Sequence, residues 1–169
     1  DPRHTRYTMA ATEMISEGSP APAFSLPDQS GEAVSLSSLA GKWVVLYFYP
    51  KDDTPGCTRE AYNFRDNYGA LKAAGAVVLG VSGGSSASHS KFATKYELPF
   101  QLLVDAGNEV ARAFGAWGEK KNYGKTYEGI IRSTFVIDPA GIVAKRWARV
   151  KPDAHGEEVL KWITANATS

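Results

Sequence analysis

A single cysteine at the predicted start of a helix is the main candidate for a reactive group in the sequence. Cys57 is the only cysteine among the 169 residues, which excludes an internal disulfide and a zinc site made of several thiolates. Thr54 and Pro55 predict a helix that begins at Pro55, since threonine is a good N-cap and proline is tolerated at the first helical position. Cys57 is then the third helical residue, where unpaired N–H groups and the helix dipole favour a thiolate. The position favours a reactive thiolate over the alternative, a small buried structural cysteine.

The residues around this helix predict how Cys57 is positioned. Lys42–Tyr49 is nearly all β-branched and aromatic, which is typical of a central strand covered on both faces. Chemistry in open α/β sheets is usually found just after the carboxyl ends of the strands. The helix itself is expected to end near Gly75. Its buried face is predicted from apolar residues at helical spacing: Ala61, Phe64, Tyr68 and Leu71.

The rest of the chain alternates between predicted strands and helices. Further strands are predicted over Ala33–Leu36, Ala76–Ser82, Phe100–Val104, Ser133–Asp138 and Ile142–Val150, and further helices over Ser86–Tyr96, Glu109–Phe114 and Asp153–Ala165. This order predicts an α/β fold with a central, mostly parallel sheet flanked by helices. The prolines between Ser19 and Pro27 add an N-terminal β extension, so a thioredoxin-like fold is expected.

Two segments between these elements have sequences typical of a turn and of a loop. Pro139–Gly141 separates two predicted strands and indicates a hairpin turn. Gly115–Gly129 is rich in glycine and contains Lys120, Lys121 and Lys125. It is predicted to be a long loop, with the lysine side chains in solvent. Trp117 and this loop are candidates for lining a substrate pocket.

Composition and charge exclude several classes of protein. Nineteen basic and eighteen acidic residues give a net charge of +1, whereas nucleic-acid-binding domains usually carry a basic excess or stripe. Nucleic acids and anionic membranes are therefore not expected partners. The longest apolar run, Trp43–Tyr49, is the length of a strand, and no window of about 18 apolar residues predicts a membrane span. His4, His89 and His155 have no spacing suited to a metal site, so no metal is expected.

The N-terminus is interpreted separately from the fold. Residues 1–8 are polar, lack an apolar stretch of signal-peptide length and precede Met9. We interpret them as an artificial leader or a disordered tail. A single domain is expected over residues 9–169.

Four segments of the chain resemble one enzyme family. The segment Phe48–Glu60, with the sequence FYPKDDTPGCTRE, resembles the active-site segment of the peroxiredoxins. It is most similar to the bacterioferritin-comigratory-protein branch, also called peroxiredoxin Q. Pro20–Leu26, Gly80–Ser82 and Arg132–Asp138 also agree with this branch, so the resemblance extends over residues 16–165.

The resemblance implies a thiol peroxidase that reduces hydrogen peroxide and organic hydroperoxides. Cys57 matches the peroxidatic cysteine, which attacks the peroxide and becomes a sulfenic acid. Arg132 matches the site arginine, whose fixed donors can bind the thiolate and the peroxide oxygens together. Thr54 matches the hydroxyl residue of the site and can hydrogen-bond the reacting oxygens, as can backbone N–H groups.

Three further residues are expected at the substrate site. Pro50 matches the proline seven residues before the cysteine; it is expected to shield the pocket, or to act only as a strand terminator. The backbone N–H near Gly56 is a candidate donor to the peroxide. Glu60 also matches the family pattern and is expected to orient its neighbours, the alternative being an ordinary acidic residue near the start of a helix.

The sequence departs from many members of this branch because it has no resolving cysteine. Tyr62 stands where many members carry that cysteine, and Ser86–Tyr96, where others carry it, has none. The sulfenic acid is therefore expected to need an external reductant: thioredoxin, glutaredoxin with glutathione, or another small thiol. No cofactor is expected, and the resemblance implies a cytoplasmic monomer.

Two alternatives to an enzyme stay open at this point. A peroxide-sensing thioredoxin-fold protein that relays oxidation to a partner needs the same thiolate, and multiple-turnover kinetics would distinguish it. A binding or chaperone-like domain would have a structural Cys57, with slow alkylation of the thiol.

Overall fold

The computed structural model describes residues 13–167. The predicted leader, residues 1–8, lies outside the described residues. The strands are β1 Ser25–Pro27, β2 Ala33–Ser35, β3 Trp43–Phe48, β4 Ala76–Ser82, β5 Gln101–Val104, β6 Trp117–Asn122, β7 Lys125–Ile130, β8 Ser133–Ile137 and β9 Val143–Trp147. The helices are α1 Pro55–Ala73, α2 Ser86–Lys95, α3 Glu109–Phe114 and α4 His155–Asn166.

The predicted central strand lies in the middle of a five-stranded sheet. The strand order is β5-β4-β3-β8-β9. Strands β3, β4 and β5 pair in parallel, whereas β8 pairs antiparallel with β3 and β9 antiparallel with β8. The predicted α/β architecture is confirmed, with a mixed sheet in which the late hairpin supplies the antiparallel pairs. The N-terminal extension is the short antiparallel pair β1–β2.

Alternate residues of β3 enter two separate cores because successive side chains of a strand point to opposite faces. Val45 and Tyr47 belong to the core between the sheet and helices α1, α2 and α4. Val44, Leu46 and Phe48 belong to the opposite core, beneath α3 and the N-terminal segment. Both faces of β3 are therefore covered, as its continuous apolar sequence predicts.

The predicted loop over 115–129 is wrong, because most of this segment is a β-hairpin. Strands β6 and β7 pair antiparallel in register from Trp117 with Ile130 to Asn122 with Lys125. Tyr123 and Gly124, both with positive φ, form the two-residue turn. The strand signal was missed because β7 is largely exposed and polar, so it lacks the apolar alternation that marks a half-buried strand.

Helices α1 and α4 approach each other closely at Gly156. A Cβ atom at Gly156 would lie 2.6 Å from the backbone oxygen of Asn63 and 2.7 Å from the backbone nitrogen of Phe64. Asn63 also accepts, at Oδ1, a hydrogen bond of 2.8 Å from the N–H of Glu157. One residue of α1 thus satisfies the exposed N-terminus of α4 and sets the separation of the two helices.

No helix within residues 13–167 has both the length and the apolar character needed to span a membrane.

The close contact at Gly156 predicts opposite effects for two glycine-to-alanine substitutions. Gly156→Ala forces a methyl group against backbone atoms of α1, and we expect it to lower the free energy of unfolding by about 1–3 kcal/mol. Gly69→Ala, at an exposed position of α1 with open space around it, should raise stability by up to about 1 kcal/mol because alanine favours helix. Urea unfolding of the wild type and both variants measures the two changes in the free energy of unfolding. Equal effects of the two substitutions would contradict the close helix contact.

Candidate active site

Cys57 lies where the sequence predicted it, at the third residue of α1. A short turn joins the carboxyl end of β3 to this helix, so the thiol sits at the carboxyl edge of the parallel strands. Its side chain is 1% exposed. A buried sulfur at a helix start has little contact with water and depends on protein groups to stabilise a negative charge.

Arg132 reaches Cys57 from the neighbouring strand. It directly precedes β8, and the pairing of Ser133 with Phe48 places it beside the end of β3. Its Nη2 atom donates a hydrogen bond of 3.3 Å to the Sγ atom of Cys57. The chain segments carrying these two residues are 75 positions apart, so only the antiparallel register of β8 brings them together.

The same guanidinium also binds a buried carboxylate. Nη1 of Arg132 donates to Oε1 of Glu60 at 2.7 Å, and the Glu60 side chain is fully buried. Burial lowers the pKa of Arg132, but the charges and hydrogen bonds of Glu60 and Cys57 raise it by more. The arginine therefore stays charged and connects the sulfur to the carboxylate through two separate nitrogens.

Glu60 is the most perturbed carboxyl group of this site. Burial raises its pKa to about 7, against the opposing effect of the Arg132 charge. Its Oε2 atom has no hydrogen-bond partner within the described residues. The ionised form of Glu60 thus depends on Arg132, and its proton equilibrium falls near neutral pH.

Gly56 lies directly beneath the guanidinium. A Cβ atom there would be 3.1 Å from Nη2 of Arg132 and 3.7 Å from the side chain of Pro152. Glycine therefore allows the arginine to lie against the first turn of α1 on its way to Cys57.

Thr54 occupies the N-cap position as predicted, but it does not cap the helix with its side chain. Its hydroxyl instead donates to the carbonyl oxygen of Lys51 at 2.9 Å. The N–H groups of Gly56 and Cys57 therefore find no acceptor in the side chain of the cap residue and none within the helix. The sequence predicted the N-cap residue correctly, but the Thr54 side chain bonds to the preceding turn and not to the first turn of the helix.

Pro50 begins that turn. It directly follows the Tyr49 end of the buried β3 run, and its carbonyl oxygen accepts a hydrogen bond of 3.3 Å from the hydroxyl of Ser82 at the end of β4. This contact connects the turn to the neighbouring parallel strand.

Lys120 belongs to the surroundings of the site, although the sequence indicated only a solvated lysine. Its Nζ atom donates to the carbonyl oxygen of Ile130 at 2.9 Å. Burial lowers its pKa, the charge of Arg132 lowers it further, and Cys57 opposes both effects. No local signal identifies this lysine, because its position follows from the pairing of β6 with β7. Trp117, the other candidate on this segment, has its ring under the guanidinium of Arg112.

Tyr62, at the position of the missing resolving cysteine, packs within an aromatic and cationic cluster. Its ring meets the ring of Tyr96 edge to face with centroids 5.3 Å apart. The guanidinium of Arg65 lies 4.3 Å from the Tyr62 centroid. Arg65 also donates to the Tyr96 carbonyl oxygen at 3.0 Å, so the cluster joins α1 to the end of α2.

Across residues 13–167, no group of three or more His, Cys, Asp or Glu side chains is arranged to hold a metal ion. His89 and His155 are both buried and hydrogen-bonded within the protein. His4 lies outside the described residues.

Comparisons with known proteins agree with this geometry. Residues 18–146 match the AhpC/TSA family. The chain is 50% identical over 149 residues to peroxiredoxin Bcp of Bacillus subtilis, covering 88% of this chain and 95% of the relative. It is 46% identical over 153 residues to peroxiredoxin Bcp of Escherichia coli, covering 90% of this chain and 98% of the relative.

A solved structure extends the likeness to the fold. The bacterioferritin comigratory protein of Xanthomonas campestris, described for its alkyl peroxide reduction activity, superposes with a TM-score of 0.81 at 41% identity. The match covers 86% of this chain and 92% of that one. The predicted thioredoxin-like fold is thereby confirmed. The chain belongs to the AhpC/TSA family, in its Bcp/peroxiredoxin Q branch, and is a thiol-dependent peroxidase whose single cysteine, Cys57, fits the one-cysteine mechanism.

Proposed function

We propose that Cys57 is the peroxidatic nucleophile and that Arg132 and Thr54 complete its catalytic site. The thiolate attacks the terminal oxygen of the hydroperoxide, so that a sulfur–oxygen bond forms as the oxygen–oxygen bond breaks. The sulfur is oxidised to a sulfenic acid, and the oxygen that leaves as hydroxide or alkoxide takes a proton from solvent to become water or an alcohol. The contact between Arg132 Nη2 and the sulfur, at 3.3 Å, is the observation that carries this proposal.

The donors around the sulfur match the charge that develops in this step. Negative charge moves from the thiolate to the peroxide oxygens, and fixed donors aimed at that charge stabilise the transition state most. Arg132 supplies such donors, and the N–H groups of Gly56 and Cys57, which the cap residue leaves unbound, supply two more. Because the hydroxyl hydrogen of Thr54 is donated to Lys51, its oxygen is available to accept a hydrogen bond from the O–H group of the peroxide.

Pro50 and Glu60 act in support of these groups. Pro50 has no N–H, and it shields the pocket at the point where the chain leaves β3. Glu60 is a positioning residue: its 2.7 Å bond to Nη1 fixes the plane of the guanidinium, so that Nη2 faces Cys57.

The remaining properties follow from the family and the single cysteine. We propose that the substrates include hydrogen peroxide and organic hydroperoxides, since the Xanthomonas campestris relative is described for alkyl peroxide reduction. An external thiol regenerates Cys57; thioredoxin, glutaredoxin with glutathione and other small thiols are the candidates. We further propose that residues 9–169 act as one domain, as a monomer in the cytoplasm.

Arg132→Lys tests the role of the arginine. Lysine keeps the positive charge but lacks the two-nitrogen geometry, so we expect the rate constant for reaction with hydrogen peroxide to fall by about 100-fold. Reaction with iodoacetamide needs the thiolate but no peroxide-binding donors, and its rate should fall far less. Stopped-flow measurement of both reactions gives the two rate constants, and their ratio separates loss of the peroxide-binding donors from loss of the thiolate.

Arg112→Lys, an exposed position on α3, is the matched control and should leave both rates unchanged. An Arg132→Lys variant that reacts with peroxide as fast as the wild type would contradict the proposed site.

The raised pKa of Glu60 predicts a pH-dependent stability. The folded-state pKa of about 7 lies above the ordinary value of 4.5, so folding favours the protonated carboxyl group. This contribution is complete below pH 4.5 and is lost as the pH rises through 7. Relative to Glu60→Gln, the wild type should lose stability on the order of 3 kcal/mol across this range.

Urea unfolding of the reduced proteins at several pH values measures this difference. Glu32→Gln, at an exposed turn position, controls for the loss of one carboxylate and should show no such trend. A constant difference between wild type and Glu60→Gln from pH 4.5 to 8 would show that Glu60 has an ordinary pKa.

A further inference from the structure

A second buried pair of hydrogen-bonded titratable side chains joins the turn that leads to Cys57 to α2. Asp52, in this turn, is 6% exposed, and His89 of α2 is completely buried. Nδ1 of His89 is 2.6 Å from Oδ2 of Asp52. The proposed chemistry uses neither residue, and no local pattern in the sequence connects them.

The hydrogen bonds show which groups carry protons. Nε2 of His89 is 2.9 Å from the carbonyl oxygen of Leu103, and a carbonyl oxygen only accepts, so this nitrogen carries a hydrogen. Asp52 accepts from the hydroxyl groups of Tyr49 at 2.6 Å and Ser88 at 2.7 Å. Burial raises the pKa of Asp52, but the bonds from His89, Tyr49 and Ser88 bring it below its usual range.

An ionised Asp52 requires a donor at Nδ1 as well. Nδ1 of His89 then donates to Asp52 as Nε2 donates to Leu103, so both ring nitrogens have acceptors.

The pair connects the turn before Cys57 to two other elements. Through Asp52 it holds the turn to α2, and through Leu103 it reaches the end of β5. Asp53, the next residue, has a left-handed φ of 57°, a conformation that surrounding contacts must hold in place. Thr54, with its hydroxyl on Lys51, follows directly.

We propose that His89 is a positioning residue for the peroxide reaction, acting through Asp52 to fix the turn that places Thr54 and the first turn of α1 around Cys57. The inference rests on the peroxidase function proposed above. A displacement of about 1 Å can cost up to about 100-fold in rate, so a loosened turn should slow the reaction while the protein stays folded.

Two substitutions of His89 separate positioning from packing. His89→Asn keeps an N–H near the place of Nδ1 and so retains the bond to Asp52. His89→Gln keeps an N–H near the place of Nε2 and retains the bond to Leu103. Both lose the ring and its packing.

We expect His89→Gln to lower the rate constant for sulfenic acid formation with hydrogen peroxide by about 10-fold, and His89→Asn to stay close to the wild type. Lys91→Ala, at an exposed position of the same helix, is the control and should leave the rate unchanged. Equal rates for the two His89 variants would overturn the proposal.

The protonation of His89 is tested in the wild type by nitrogen-15 NMR of the histidine rings. Two protonated ring nitrogens support the proposal, and one unprotonated nitrogen overturns it. If His89→Gln does not fold, Asp52→Asn removes the carboxylate through which His89 acts; a wild-type rate in that variant would also overturn the proposal. A wild type that does not react with peroxide would refute the peroxidase function instead, and the NMR result would still decide the state of the pair.

Discussion

The contact of one guanidinium with both a buried sulfur and a buried carboxylate is the interaction on which the site depends. Arg132 meets Cys57 through Nη2 and Glu60 through Nη1, and both of these side chains lie within the first two turns of α1. Neither group can hold a charge at this depth without a partner. The fold must therefore deliver the arginine to within hydrogen-bond distance of both.

Several features of the fold serve this requirement. The antiparallel register of β8 against β3 carries Arg132 to the carboxyl edge of the sheet. The start of α1 at Pro55 sets Cys57 and Glu60 on the same side of the helix, three residues apart. Glycine at position 56 keeps the path of the guanidinium open. A displacement of any of these elements would separate charges that stabilise one another.

The features of the fold and site that the sequence predicted are those with local causes. Thr54 and Pro55 predicted the start of α1, and with it the helical position of Cys57. The continuous apolar run of β3 predicted a central strand. Arg132 was named only through the family resemblance, because nothing in its neighbourhood indicates a partner 75 residues away.

The features that the sequence did not reveal depend on long-range contacts or, at Thr54, on a side-chain hydrogen bond to the preceding turn. The β6–β7 hairpin is exposed, so no apolar period marks its strands, and the partial burial of Lys120 follows from their pairing. The bond between His89 and Asp52 spans 37 residues and has no local signature. At Thr54 the hydroxyl donates to the Lys51 carbonyl oxygen and its oxygen does not accept from a helix N–H.

Trapping the oxidised sulfur is the most direct way to test whether Cys57 is the peroxidatic nucleophile. The reduced protein would receive one equivalent of hydrogen peroxide in the presence of dimedone, and peptide mass spectrometry would locate the adduct. We expect rapid formation of a single dimedone adduct on Cys57, absent from a Cys57→Ser variant. An intact thiol after minutes of exposure would mean that the buried site does not activate Cys57, and Cys57 would then not be the peroxidatic nucleophile.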